Sequence, residues 1–322
     1  MRIFVTGASG FIGGAAARAL ARAHDVVAMA RSEASAAAVR ATGAVPVGCE
    51  LGAVHAANLA GVDAVVHAAA FVGPWGTRDE FWNANVDGTA QLLAAAREAG
   101  VARFVHIGTE AALFAGQDLR DIDETYPYPA STPFLYSETK AEAERRVLAA
   151  NDPGGAFTTL SLRPRLVWGP GDQSVLRELV DMVQSGRFMW IGGGSARTST
   201  THVDNVVHGI LLALTRGRGG EAYFLTDGEV WTMRDFLTRY LATQGVDPGT
   251  RSIPAWLARG AAAVIEPIWR SLGIPADPPL TRFAACIMSA ECTLRIDKAR
   301  RDLGYEPIVS VEAGLAAMPR IL

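Results

Sequence analysis

The sequence predicts an α/β chain built on a doubly wound parallel sheet, followed by a smaller, mainly helical C-terminal region. Short β-branched runs alternate with Ala-rich stretches of helical spacing through the first half. A glycine-rich turn stands between the first such run and the first helical stretch. The alternation loosens after Asn151-Asp152-Pro153-Gly154-Gly155, a run of turn formers.

Taken in order, strands are expected at 2–6, 26–30, 45–47, 64–67, 103–107, 159–163 and 222–225. Helices are expected at 12–23, 35–42, 78–99 and 133–150, each with apolar spacing suited to packing on a sheet. From Val230 onward helical patterns dominate, broken by prolines. Residues 1–168, completed by about 201–227, are read as the dinucleotide-binding domain; 169–200 and 228–322 are read as the substrate-binding region.

Composition narrows the function classes. The 322 residues are 49% apolar and 20% charged, with a net charge of −3, which describes an ordinary globular chain. No block of like charge offers a footprint for nucleic acid or an anionic membrane, so a small molecule is the expected partner. Cys49, Cys286 and Cys292 are odd in number and lack metal-type spacing. Neither a disulfide framework nor a metal site is expected, and a reducing cytoplasm is. The apolar run Ile3-Phe4-Val5 ends at Thr6-Gly7, too soon for a secretory leader. The most apolar helical stretch, 255–272, carries Arg259, Glu266 and Arg270, which argues against a bilayer span.

Two motifs carry the chemistry. In Gly7-Ala8-Ser9-Gly10-Phe11-Ile12-Gly13, glycines permit a tight turn and close backbone approach to a pyrophosphate, while the helix start offers free N–H donors. Gly7, Ser9, Gly10, Phe11, Ile12 and Gly13 are therefore candidate cofactor contacts. After the second strand comes Ala30-Arg31-Ser32, with no carboxylate to hold the ribose hydroxyls of NAD. Arg31 and Ser32 suit a 2′-phosphate, so NADP is favoured and NAD stays possible. Glu50 and Leu51, after the third strand, could meet the adenine or form a plain surface turn.

The second motif is Tyr136-Ser137-Glu138-Thr139-Lys140. Residues four apart share a helix face, and an ammonium near a phenol, whose ordinary pKa is about 10, brings it toward the range of a general acid or base. Lys140 and Lys298 are the only lysines among 30 basic residues, so a merely solvated cation at 140 would have been Arg.

The glycine turn and the Tyr-x-x-x-Lys helix resemble the extended short-chain dehydrogenase/reductase family, within the epimerase/dehydratase superfamily, across nearly the whole chain. Further segments follow in the family's order: Val66-His67-Ala68-Ala69-Ala70, Asn85-Val86-Asp87-Gly88-Thr89, Arg163-Pro164 before Trp168-Gly169-Pro170-Gly171, and His202-Val203-Asp204-Asn205. The resemblance implies a Rossmann fold, Thr109 as a hydroxyl that orients the substrate oxygen, and Ala68, Ala69, Asn85, Pro164 and Val167 along the cofactor. A homodimer is expected.

Three function classes follow. The run 223–229 and Trp168-Gly169-Pro170-Gly171-Asp172 are most similar to the 3β-hydroxysteroid dehydrogenase and dihydroflavonol reductase branch, which implies exchange between a secondary alcohol and a ketone on a mainly apolar molecule. There, Phe71, Val72 and Trp75 of the loop after the fourth strand face the substrate, and Trp256, Leu257, Ile265, Ile268, Trp269 and Leu272 line an apolar pocket or belong to core. A nucleotide-sugar epimerase or dehydratase shares the fold. It would place Glu110 as an acid, but Ala111 stands where its base belongs, Leu166 where an Asn is common, and Arg197 is one residue out of register. A non-catalytic NADP sensor is the third class; it has no need of Tyr136 and Lys140 together.

Overall fold

The computed structural model describes the chain except Pro74, Pro275, Ile321 and Leu322. The strands expected from sequence appear as β1 (Arg2–Thr6), β2 (Asp25–Ala30), β3 (Val45–Gly48), β4 (Ala64–His67) and β5 (Arg103–Ile107), then Thr158–Pro164 and Glu221–Leu225. All pair in parallel, in the order Glu221–Leu225, Thr158–Pro164, β5, β4, β1, β2, β3. Strand order reverses between β1 and β4, which opens a crevice at the carboxyl edge where ligands of such sheets bind.

Both faces of the sheet are covered, which explains why its strands are apolar runs and not alternating ones. Ile3 and Val5 point to one side, into a core shared with α1 (Phe11–Leu20), α2 (Glu33–Arg40) and the helix Val203–Ala213. Phe4, Val65 and Phe104 point to the other, against Leu92, Leu93 and Ala96 of the helix Gly88–Glu98 and Val147 of the helix Leu135–Ala149.

The expected helix at 78–99 is three pieces. An α-turn Arg78–Trp82 and the helix Gly88–Glu98 flank a π-helical turn, Asn83–Asp87, of the kind often found at functional sites. Helix Leu135–Ala149 starts later than Thr132-Pro133 suggested: Phe134 is its N-cap, with no side-chain cap, because the Thr132 hydroxyl donates to the Phe114 carbonyl instead.

The C-terminal part of the second lobe is mainly helical, as its sequence suggests, and the lobe also carries a small sheet. Val230–Thr232, Arg197–Ser199, Cys292–Leu294 and Leu119–Ile122 form a small mixed sheet, the last strand borrowed from the first part of the chain. The lobe has its own core of Trp168, Leu176, Trp190, Phe236, Tyr240 and Val311. Asp227 ties it to the large sheet: its carboxylate accepts from Trp168 Nε1 (2.8 Å), Thr200 Oγ1 (2.7 Å), the His202 N–H (2.6 Å) and Asn205 Nδ2 (2.7 Å). Among the described residues no helix is long and apolar enough to cross a membrane.

The turn after β1 admits glycine alone at two places. Gly7 has φ +72° and a Cβ there would stand 2.8 Å from the Ala69 nitrogen; a Cβ on Gly13 would stand 2.3 Å from the Gly7 carbonyl oxygen. Gly13→Ala is therefore expected to lower stability by about 1–3 kcal/mol, the usual range for overpacking, and to weaken nicotinamide nucleotide binding. Urea unfolding and cofactor titration check both, and an unchanged midpoint would show that the turn yields freely.

Candidate active site

Nearly every residue expected at the site follows the carboxyl end of a parallel strand. Gly7 follows β1, Arg31 β2, Glu50 β3, Ala68 β4 and Thr109 β5, while Pro164 ends its own strand. Convergence on one edge is thus a consequence of strand direction.

On the cofactor side, α1 begins at Gly10, which has no side-chain cap, so the first turn keeps N–H groups available for phosphate. Ser9 and Gly10 are exposed, Phe11 and Ile12 half-buried. Arg31 is exposed and makes no ion pair among the described residues, whereas Glu33, the first carboxylate after β2, is held by Arg40 at 2.7 Å. The Ser32 hydroxyl is already the N-cap of α2, accepting from the Ser35 N–H. Glu50 is exposed; Leu51 packs on Gly88, where a Cβ would meet its Cγ at 2.7 Å. Val167 pairs with Thr201 beside the crevice. A glycine cradle that a single Cβ would fill, an open helix start and an unpaired arginine fit a dinucleotide.

A buried polar chain fixes the other wall of that cradle. The Ala69 N–H donates to Thr6 Oγ1 (3.0 Å), Thr6 lies 2.8 Å from His67 Nδ1, and His67 Nε2 lies 2.9 Å from Thr89 Oγ1, which donates to the Asn85 carbonyl (2.6 Å). A hydroxyl has one proton, so Thr89 accepts from His67 and the imidazole is neutral with its proton on Nε2. Asn85 continues the chain: it accepts from the Phe71 N–H (2.7 Å) and donates to Thr139 Oγ1 (3.1 Å). Burial, aided by Lys140, pushes the His67 pKa down to about 3, and His106 beside it is lowered too.

Tyr136 and Thr109 come together as expected. Thr109 caps the 3-10 turn Glu110–Leu113, and its hydroxyl stands beside the half-buried Tyr136. Lys140 does not act as expected. Its Nζ donates to the Ile107 carbonyl (3.0 Å), one helical turn deeper, and burial, opposed by Glu144, brings its pKa down to about 8. The tyrosine is held above its ordinary value by burial and by the charge of Glu110, with the Thr109 hydrogen bond acting the other way. Lys140 gives one of its three ammonium protons to the Ile107 carbonyl, and burial together with Glu110 keeps the phenol protonated.

Glu110 is not a substrate contact. It is 2% exposed and paired at 2.7 Å with Arg165, itself buried. Leu166 packs against the second core in a strained left-handed conformation, φ +40°, immediately after Arg165 turns inward. Phe71 is half-buried on Phe81, with ring centroids 4.7 Å apart, while Val72 is 65% exposed. The guanidinium of Arg270 lies 4.2 Å from the ring centroid of Trp75, joining that loop to the C-terminal helix Ala255–Ser271. Pro74 of the same loop lies outside the described residues. Ile265 and Trp269 of that helix are half-buried, but Trp256, Leu257, Ile268 and Leu272 face outward.

The apolar wall comes from elsewhere. Phe283, in the helix Arg282–Ile287, lies edge-on to Tyr136 at 5.6 Å and to Phe134 at 5.5 Å, and Phe114 stacks on Phe134. Nothing in the local sequence marks Phe283, because its partner is 147 positions away by the two residue numbers, and only the tertiary fold brings it there. No group of three or more His, Cys, Asp or Glu among the described residues is placed to hold a metal.

A dinucleotide cradle with a tyrosine acid beside it, on a doubly wound sheet, defines a nicotinamide-dependent oxidoreductase of the extended short-chain dehydrogenase/reductase type. Residues 4–254 match the 3-beta hydroxysteroid dehydrogenase/isomerase family, and the chain belongs to it. It is 46% identical to the 4-hydroxy-2-methyl-3-oxo-4-farnesyl-3,4-dihydroquinoline-1-oxide ketoreductase of Stigmatella aurantiaca, over 99% of this chain and 96% of the relative. It is 38% identical to a 2-alkyl-3-oxoalkanoate reductase of Stenotrophomonas maltophilia, over 98% and 97%. Among solved structures, the dTDP-glucose 4,6-dehydratase DesIV of Streptomyces venezuelae, with NAD and TYD bound, superposes with a TM-score of 0.74 at 26% identity, over 98% of this chain and 95% of that one. The chain is an oxidoreductase acting on the CH–OH/ketone couple.

The buried histidines give the fold a pH dependence. An unfolded imidazole takes a proton near pH 6.5, but folded His67 waits until about 3, so the unfolded state binds more protons between those values. The stability is complete above the unfolded value and is lost as pH falls through the window. His67 alone should cost about 2 kcal/mol on going from pH 7 to pH 5, and His67→Gln should flatten the slope. Urea midpoints across that range check it; equal slopes for both proteins would refute the assignment.

Proposed function

We propose that the chain interconverts a ketone and a secondary alcohol on a small to medium, mainly apolar molecule, with NADP as the favoured cofactor and Tyr136 as the proton donor in reduction. The carrying observation is Tyr136 beside Thr109 and against the aromatic wall of Phe283, with Ala111 where a second carboxylate would be needed for proton abstraction from carbon. A bound reduced nicotinamide supplies hydride to the carbonyl carbon. Tyr136 gives its proton to the oxygen that becomes the hydroxyl, Thr109 orients that oxygen, and Lys140 holds the ribose. The printed activities of the two bacterial relatives, a ketoreductase and a 3-oxoalkanoate reductase, support this reading. Exposed, unpaired Arg31 supports NADP over NAD. A cytoplasmic homodimer belongs to the same reading, and three free thiols suit a reducing compartment.

Cofactor consumption against aromatic ketones, 3-oxo compounds, steroid ketones and nucleotide sugars tests it. Turnover is expected with the first groups and none with UDP- or dTDP-sugars; the reverse pattern would overturn the proposal. Tyr136→Phe should lose turnover by roughly a thousandfold, within the range for general acid–base groups, while binding the cofactor within a few-fold. Wild-type kcat in that variant would remove Tyr136 from the mechanism.

Cofactor choice has its own test. Arg31→Asp removes the partner of a 2′-phosphate and supplies an acceptor for ribose hydroxyls, so the ratio of kcat/KM for NADPH over NADH should fall by at least about tenfold, ~1.4 kcal/mol. An unchanged ratio would place the discrimination at another residue.

A further inference from the structure

An open cavity of about 630 Å³ lies at the junction of the two lobes. Leu135 lines it from the start of the helix Leu135–Ala149, Glu266, Pro267 and Arg270 from the helix Ala255–Ser271, Arg282 from the start of the helix Arg282–Ile287, and Arg78 from beyond the loop that follows β4. Two of these residues are chain neighbours of the site already described: Leu135 precedes Tyr136, and Arg282 precedes Phe283, whose ring lies 5.6 Å from that of Tyr136. Tyr136, Thr109 and Phe283 are not part of the wall. The cavity therefore adjoins the place where a ketone meets Tyr136 without containing it.

Its charges are unevenly matched. Arg78 donates from both terminal nitrogens to Glu138, at 2.9 and 2.7 Å. Arg270 donates to the Gly76 carbonyl (3.2 Å), lies over the Trp75 ring and stands 3.8 Å from Glu266. Glu266 Oε2 also accepts from the backbone N–H of Arg282, at 2.8 Å. The guanidinium of Arg282, a half-buried residue, makes no hydrogen bond or ion pair among the described residues. Three guanidinium groups thus stand with two carboxylates, Glu138 and Glu266, and the positive charge left over is the one at Arg282. A guanidinium keeps its proton and presents paired N–H donors that match the two oxygens of a carboxylate.

We propose that this cavity takes a carboxylate carried by the substrate, held by Arg282, while the ketone of the same molecule reaches Tyr136. The proposal rests on the ketone-reducing reading of the site and narrows its substrate class to an apolar ketone with a remote acid group. Because neither Tyr136 nor Thr109 lines the cavity, a carboxylate seated there cannot be the immediate neighbour of a carbonyl held at Tyr136. An apolar stretch must join the two, and Leu135 and Phe283 offer it apolar surface. Glu266 does not turn such an anion away, since its own charge is answered by Arg270 and by the Arg282 backbone. The side chains of Arg78 and Arg270 are 56% and 41% exposed, so water and salt reach the cavity and the attraction weakens as salt rises.

Two measurements test it. Calorimetry with octanoate and its neutral counterpart octanamide, on protein saturated with nicotinamide nucleotide, reads the anion alone. Octanoate should bind at least about tenfold more tightly, the low end for a charge-assisted hydrogen bond, and Arg282→Gln should remove the difference. Rates with a medium-chain methyl ketone bearing a terminal carboxylate, and with its methyl ester, read the substrate. In Arg282→Gln the acid-over-ester ratio of kcat/KM should fall by at least about tenfold, carried by KM, and in the wild type the ratio should shrink as salt rises. Equal binding of octanoate and octanamide, or an acid-over-ester ratio unchanged by Arg282→Gln, would overturn the proposal. Inorganic phosphate that displaces octanoate at equal concentration would overturn it too, leaving a site for free anions. If the wild type reduces neither the acid nor the ester, the functional reading fails, and octanoate binding, which needs no turnover, still decides whether the cavity takes a carboxylate.

Discussion

Parallel strand direction is the constraint from which the site follows. Seven strands running one way put every carboxyl end on one edge, so residues as distant in sequence as Gly7, Arg31, Ala68, Thr109 and Pro164 meet without any further device. Each crossover must then lie on a face of the sheet, which buries both faces and forces apolar runs such as Ile3-Phe4-Val5. The polar groups that chemistry needs are thereby confined to the edge. There they can be buried only in networks that satisfy them.

Three such networks occupy that edge. Thr6, His67, Thr89 and Asn85 hold the cradle wall, Glu110 with Arg165 underlies Thr109, and Glu144 with Arg163, Ser161 and Tyr128 anchors the helix of Tyr136 to the sheet. Removing one partner of a buried ion pair leaves a charge in a low-dielectric interior, a loss of about 3–5 kcal/mol. The site is therefore rigid by necessity: its hydroxyls cannot drift without leaving charged neighbours unpaired. Rigidity of this kind matters to proton transfer, which depends on donor and acceptor being held in hydrogen-bond reach.

This division also decides what the sequence could reveal. The βα alternation, the glycine turn and the Tyr136–Lys140 spacing are local patterns, and local patterns survive in a linear string; β1, β4 and β5 fall at the boundaries read from it. Strands of three residues, such as Arg197–Ser199 and Cys292–Leu294, are too short to show a period, so the small sheet was invisible and its region read as helical. The places of Arg165 and Phe283 and the pairing of Glu110 depend on contacts between distant segments. In the sequence Glu110 is a carboxylate directly after Thr109, and only the fold shows that Arg165 pairs with it. The same limit explains Lys140: a spacing of four places it on the face of Tyr136, but says nothing of the Ile107 carbonyl waiting below.

The contribution of the second lobe follows from how it is tethered. Asp227 accepts four hydrogen bonds, two of them from Trp168 and Thr200 and two from the start of the helix Val203–Ala213, so the lobe's core and the large sheet share one buried carboxylate. With that junction fixed, the helix Arg282–Ile287 reaches back and lays Phe283 on Tyr136, and Arg270 reaches the Trp75 loop from the neighbouring helix. Tyr136 thus has polar neighbours from the large-sheet lobe on one side and an apolar wall from the other lobe on the other. An apolar wall withdraws solvent from the phenol and makes its ionised form costlier, in the same sense as the charge of Glu110. The proton affinity of Tyr136 is therefore set partly from the second lobe: a residue at 283 that opened this wall to water would ease the burial that holds the phenol protonated.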